Sequence, residues 1–200
     1  IQTEPFLHID GDIFIWKKFG DTAFHKKSLV VQNIDLDYPW YKEMMVAIET
    51  HFEFVPTEIK NAYKIRNDFT AINAGIIGGT DVEFFKNYTK KAFEFVDKNK
   101  ENLVKIDIGL FNTIFEQYLF YCMAKTQNKT IQPLFNLKPH SEFTELMNFN
   151  LVPKIKTYVH LMGFAKKNIY ACEQIEMRLK YEFPNYYAHF VKLFPKPYFN

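Results

Sequence analysis

Two kinds of hydrophobic pattern alternate along this chain, and that alternation limits the fold more than any other feature of the sequence. Apolar runs at residues 5–10 and 29–34 ("LVVQNI") have the length of sheet strands. Residues 39–52, "PWYKEMMVAIETHF", open with a proline and repeat apolar side chains at Met44, Met45, Ile48 and Phe52, which is helical spacing. "TAINAGIIGG", 70–79, reads as a strand feeding a Gly-rich turn. Asp81 then stands where it can cap a helix over about 82–98, with Phe84, Phe85, Tyr88 and Phe95 as its apolar face. Residues 108–125, "IGLFNTIFEQYLFYCMAK", form the most hydrophobic helical pattern and are expected in the core. Strands at about 130–135 and 156–161 flank a Pro/His/Ser loop. Aromatic helices over 168–193 follow, with Tyr181, Phe183, Tyr186 and Tyr187 expected to pack inwards. The pattern predicts an α/β fold, one domain over residues 1–200, with a mixed sheet flanked by helices.

Composition excludes several classes of function. Lys and Arg number 25 against 23 Asp and Glu, so no global field favours nucleic acid or an anionic membrane. No apolar stretch approaches the ~20 residues needed to span a bilayer, and no signal peptide is visible. Ile1 in place of a start Met implies that the chain was processed or cut from something longer. Cys122 and Cys172 lack the spacing of a disulfide framework or a redox pair. They read as buried or free thiols in a reducing, cytoplasmic compartment.

Four stretches carry the chemistry. "FLHIDGDIFIW", 6–16, drives an apolar run into Asp10-Gly11-Asp12 and out again. Two carboxylates there must reach solvent at a strand end or meet a cation. Ligands of α/β sheets gather at such ends, and Gly11 would allow a sharp turn that points both carboxylates at one divalent ion. The alternative is a turn closing a hairpin, with Asp-Gly as its corner. In "YVHLMGFAKKN", 158–168, His160 ends a strand, Gly163 follows three residues later and Lys166 three beyond that. An imidazole suits a metal such as Mn²⁺ already held by two carboxylates, while Gly163 and Lys166 would suit a phosphate. A strand-end His beside a solvated Lys pair is the alternative. Asn73-Ala74-Gly75 leaves space for a ligand against the backbone, and Gly78-Gly79 suits a turn before a helix. Neither the P-loop nor the G-x-G-x-x-G pattern is present. Finally, Glu116-Gln117 interrupts an apolar helix, as either a polar edge or a polar pocket.

Taken in order, a strand ending in D-x-D, N-A-G before a helix, an acid-Gln pair on a helix and H-x-x-G-x-x-K resemble the glycogenin-like, GT-A-fold nucleotide-sugar glycosyltransferases. The resemblance runs from residue 6 to about 167. It implies a GT-A-like, partial fold and a divalent metal, Mn²⁺ or Mg²⁺, held by Asp10, Asp12 and His160. It also implies that Gly163 and Lys166 contact the diphosphate of a nucleotide-sugar donor, and that Asn73, Ala74 and Gly75 line the donor-sugar side. Glu116 and Gln117 become the candidate catalytic groups, although the family commonly has Asp at the position of Glu116. The family's first βαβ units, which grip base and ribose, would lie upstream of Ile1. The expected activity is transfer of a sugar, from a UDP-type donor, to a glycan or other acceptor, in polysaccharide synthesis, with a tilt towards retention of configuration. A non-catalytic carbohydrate- or protein-binding domain on a transferase-derived scaffold is the alternative. A haloacid-dehalogenase-type phosphatase fits less well, because Ile13-Phe14 follows its Asp-x-Asp.

Overall fold

The computed structural model describes residues 3–19, 28–36, 38–135 and 146–194. Part of the expected Pro/His/Ser loop, and the tail beyond residue 194, lie outside the described residues. In chain order the regular elements are β1 (Phe6–Ile9), β2 (Ile13–Ile15), β3 (Leu29–Asp35), α1 (Pro39–His51), α2 (Thr57–Asn61), β4 (Ala71–Gly79) and α3 (Val82–Asp97). They continue with α4 (Ile108–Asn112), α5 (Leu119–Thr126), β5 (Ile131–Pro133), β6 (Tyr158–His160), α6 (Ile169–Glu182) and α7 (Pro184–Leu193). The fold is α/β with a mixed sheet, as the alternating pattern predicts. The described residues divide into two compact units. One contains the chain up to Asp10 and from Phe19 to Phe135, and the other Gly11–Lys18 and everything from Leu146.

The first unit is built on a four-stranded sheet in the order β1-β4-β3-β5. β4 is antiparallel to both neighbours, and β3 and β5 are parallel. Every residue of β4 is buried, which suits a central strand without polar alternation. The helical phases read from sequence hold here. α1 buries Tyr41, Met44, Met45 and Ile48, and α3 buries Phe84, Phe85, Tyr88 and Phe95. Asp81 caps α3, accepting the Phe84 N–H at 3.2 Å. The rings of Phe84, Phe85, Tyr88 and Phe120 meet at 5.1–6.4 Å between centroids, mostly edge to face. Such geometry adds ~0.5–1.5 kcal/mol per pair beyond the area it buries.

Gly78-Gly79 is not a turn. Both residues lie in β4, paired with Leu7 and Phe6 on one side and with Val30 and Leu29 on the other. A Cβ on Gly78 would stand 2.1 Å from the Phe6 carbonyl oxygen, and one on Gly79 2.1 Å from that of Ser28. Close approach of two neighbouring backbones, rather than chain reversal, is what requires glycine there. The strand ends after them, with a bend at Thr80 before the helix that Asp81 caps.

The second unit is smaller. β2 and β6 form an antiparallel pair with Ile13 opposite His160. A cluster of Phe149, Val152, Val159, Leu161 and Ala171 packs under them. The hairpin, the alternative reading of Asp10-Gly11-Asp12, does not form, since β1 pairs with β4 and β2 with β6. Gly11 has no positive φ, so the chain bends there without the left-handed conformation glycine allows. The C-terminal aromatics also depart from expectation. Tyr181 is 80% exposed, Phe183 54% and Tyr186 73%, and Tyr187 is only partly buried, with its hydroxyl donating to Glu176. α6 and α7 bury a single residue, Ala171, and the ring of Phe183, between the two helices, meets Tyr186.

Candidate functional site

In the first unit, the N-A-G motif is a β-bulge. Val31 pairs with Ile77 and Asn33 with Asn73, so Ala74, Gly75 and Ile76 stand opposite the single residue Gln32. The Asn73 side chain closes the bulge by accepting the Gly75 N–H at 3.0 Å. On the other edge of the strand, the Gly75 carbonyl accepts the N–H of Asp10 at 2.9 Å. The bulge therefore receives the first residue of D-G-D. All three N-A-G residues are buried in the sheet, so what the motif offers at this edge is backbone.

Asp10 itself is half-exposed, with His8 Nε2 3.5 Å from its Oδ1. The period of two along a strand puts these side chains on one face. Glu116 belongs to the same neighbourhood. Burial holds its carboxyl above the usual carboxylate range, and the Asp10 charge pushes the same way against an opposing contribution from His8. Glu116 and Gln117 lie in a π-helical segment, Thr113–Tyr118, inserted between α4 and α5. Such bulges recur at functional sites. Gln117 turns towards a buried chain of polar groups: its Oε1 accepts the Tyr41 hydroxyl at 3.0 Å. Tyr41 also reaches Asp35 at 3.4 Å, and Asn33 donates to Asp35 at 2.8 Å. Neither member of the pair is a solvated edge.

In the second unit, the β2–β6 ladder sets Asp12 against His160. The Asp12 carbonyl accepts the Leu161 N–H at 3.0 Å, and its Oδ1 lies 3.3 Å from His160 Nε2. His160 is 4% exposed. Gly163 then adopts φ +52° and opens a helical turn, Gly163–Lys167, that returns Lys166 Nζ to 2.8 Å from Asp12 Oδ2. Partial burial works against the charge on Asp12. The Lys166 hydrogen bond, with the charges of His160 and Lys166, more than offsets it and holds the carboxyl below its ordinary value. A Cβ at Gly163 or Gly11 would meet nothing within 4 Å, so both glycines border open space.

Asp10 ends the first unit, and two peptide bonds tie it to Asp12. Within the second unit, Asp12 Oδ1 and His160 Nε2 lie close enough to serve one ion together. A carboxylate oxygen and an imidazole nitrogen are donors suited to Mn²⁺ or Mg²⁺, with the imidazole favouring Mn²⁺. Lys166 already balances Asp12 in this structure. With its side chain 56% exposed, that pair is worth at most about 1 kcal/mol, so Lys166 can yield to a cation and turn to an anion.

Sequence reasoning missed His8, although strand alternation in "FLHID" would have set it beside Asp10. It also missed the Asn33–Asp35–Tyr41–Gln117 chain, whose signal is a run of polar residues in a strand that is otherwise apolar. Among the described residues, no helix is long and apolar enough to cross a membrane. No curated protein and no solved structure matches the chain. A family model does match it over residues 1–193, so the chain belongs to the Family of unknown function (DUF6734).

Proposed function

We propose that this chain is a metal-dependent glycosyltransferase, moving a sugar from a nucleotide diphosphate sugar of the UDP type to a glycan acceptor. The observation that carries the reading is the meeting of Asp12, His160 and Lys166, drawn from distant parts of the sequence. A purely structural role explains it poorly, because a stable pair would not leave Lys166 largely in water and open space at both neighbouring glycines.

Asp10, Asp12 and His160 would hold the cation, which when bound supplies Lewis-acid stabilisation to the departing diphosphate. Lys166 would exchange Asp12 for a phosphate oxygen and offset the charge that grows as the glycosidic bond breaks. Gly163 would let that phosphate approach the backbone. A sugar-transfer transition state carries oxocarbenium character, which an acid–amide face stabilises, and Glu116 and Gln117 are the groups we assign to it. Tyr41 occupies the Gln117 carbonyl oxygen, so the amide NH₂ is the end Gln117 can offer. Cys122 and Cys172, which form no disulfide, suit a cytoplasmic setting.

The test is release of nucleoside diphosphate from a panel of UDP- and GDP-sugars by the full-length protein, with and without Mn²⁺. The proposal expects Mn²⁺-dependent release that falls at least 100-fold in Asp12→Asn. Metal-independent release, or none from any donor, would refute it.

A further inference from the structure

The second unit holds a cleft of about 500 Å³ between the turn at Met147–Asn150 and the start of α6. That volume lies within the ~300–1,000 Å³ of small-molecule sites. Its wall contains Asn148, Phe149, Asn150, Ala165, Asn168 and Tyr170, and the phenol of Tyr170 is the one ionisable group among the lining residues. With no formal charge among the described lining residues, the cleft suits a neutral molecule better than a phosphate, a carboxylate or an amine.

The amides are arranged for such a ligand. Asn148 Oδ1 accepts the N–H of Asn150 at 2.9 Å, and Asn168 Oδ1 accepts the N–H of Ala171 at 3.1 Å, capping α6. Each bond fixes an amide by its oxygen and leaves the NH₂ as a pre-oriented donor, with no further hydrogen bond among the described residues. The Tyr170 ring, 57% exposed, adds an apolar face with a hydroxyl at its tip. Amide donors that meet hydroxyl oxygens, beside a ring that meets C–H groups, are the chemistry that recognises a sugar. Ala165 of this wall precedes Lys166 in the turn that reaches Asp12, so the cleft adjoins the candidate phosphate contact.

We infer that this cleft is a subsite for an uncharged saccharide, on the acceptor side of the proposed transfer. Its acceptor role rests on the transferase reading, whereas saccharide recognition does not. The test is therefore done without metal or nucleotide: the full chain in EDTA, titrated with lactose, maltose, cellobiose and chitobiose and followed by ligand-observed NMR. Asn148→Asp and Asn168→Asp keep the capping oxygen and delete the NH₂, and Tyr170→Ala removes the ring. The expected result is millimolar binding of at least one disaccharide, weakened at least 10-fold in Asn168→Asp and Tyr170→Ala, with the thermal midpoint of Asn168→Asp unchanged. No binding across the panel, or equal binding in the variants, would overturn the inference. A chain that binds saccharide but not Mn²⁺ keeps the subsite and loses the transferase. One that binds Mn²⁺ but no saccharide loses the subsite alone.

Discussion

Replacing Asp35 by Asn removes a charge from a buried chain of polar groups, and the direction of the effect follows from counting protons. Asp35 is 3% exposed, and its partners Asn33 and Tyr41 are fully buried. Burial pushes the carboxyl up to about 6, even though the Asn33 and Tyr41 hydrogen bonds favour the charged form. Tyr41 has one hydroxyl proton and two acceptors, Asp35 at 3.4 Å and Gln117 at 3.0 Å. When Asp35 is ionised, one acceptor goes unserved. When Asp35 carries a proton, it donates to Tyr41, Tyr41 donates to Gln117, and the chain is complete.

The folded pKa exceeds the ordinary 3.8 by about two units, roughly 3 kcal/mol at 1.36 kcal/mol per unit. The sign is that of a raised acid. The native state binds the extra proton, so this stabilisation is complete below about pH 4 and is lost as pH rises through 6. The amide introduced by Asp35→Asn would mimic the protonated form at every pH, its NH₂ donating to Tyr41. Urea denaturation at steps from pH 4 to 8 measures the difference between variant and wild type. Asp35→Asn should match wild type near pH 4 and gain on it with rising pH, by up to ~3 kcal/mol at pH 7. A difference independent of pH, or a variant weaker than wild type at pH 7, would refute the reasoning.

Further expectations concern single residues. Asn99 is 1% exposed and clamps four backbone groups, accepting the N–H of Glu53 and Phe54 and donating to the carbonyls of Phe54 and Phe95. Asn99→Ala should lower unfolding free energy by ~2–4 kcal/mol in urea denaturation, since those groups lose their partners together. Gly78→Ala should prevent accumulation of soluble folded protein, read by size exclusion, because its Cβ meets backbone at 2.1 Å. Gly11→Ala, with open space and no positive φ, should change stability by less than ~0.5 kcal/mol by thermal melt. Gly163→Ala has the same open space but φ +52°. Backbone strain alone should cost it ~1–2 kcal/mol in the same melt.

Helix phase was legible because it is local: the faces of α1 and α3 follow from spacing alone, and Asp81 announces the start of α3. Partner choice was not. Nothing between Phe6 and Trp16 says that β1 joins β4 while β2 joins β6, since those partners lie far along the chain. Gly78-Gly79 was misread for a related reason. Two glycines suit a turn or a strand squeezed between neighbours, and the Phe6 and Ser28 carbonyls that decide it are distant in sequence. The aromatic C-terminal helices were assigned inwards on ring content, yet α6 lacks a wide apolar stripe and buries little. At the site, His160 was read correctly as the end of a strand. The bulge at Asn73–Gly75 was not foreseen, because a register shift exists only between two strands.

Cation binding by Asp12 is the central claim, and Mn²⁺ titration followed by water-proton relaxation tests it most directly. Wild type, Asp12→Asn and Lys166→Met would be compared in the same buffer. The account predicts saturable binding by wild type and at least a 10-fold loss in Asp12→Asn. It predicts tighter binding of the bare metal in Lys166→Met, where the competing ammonium is gone. Equal Mn²⁺ affinity in wild type and Asp12→Asn, or no saturable binding by either wild type or Lys166→Met, would contradict it.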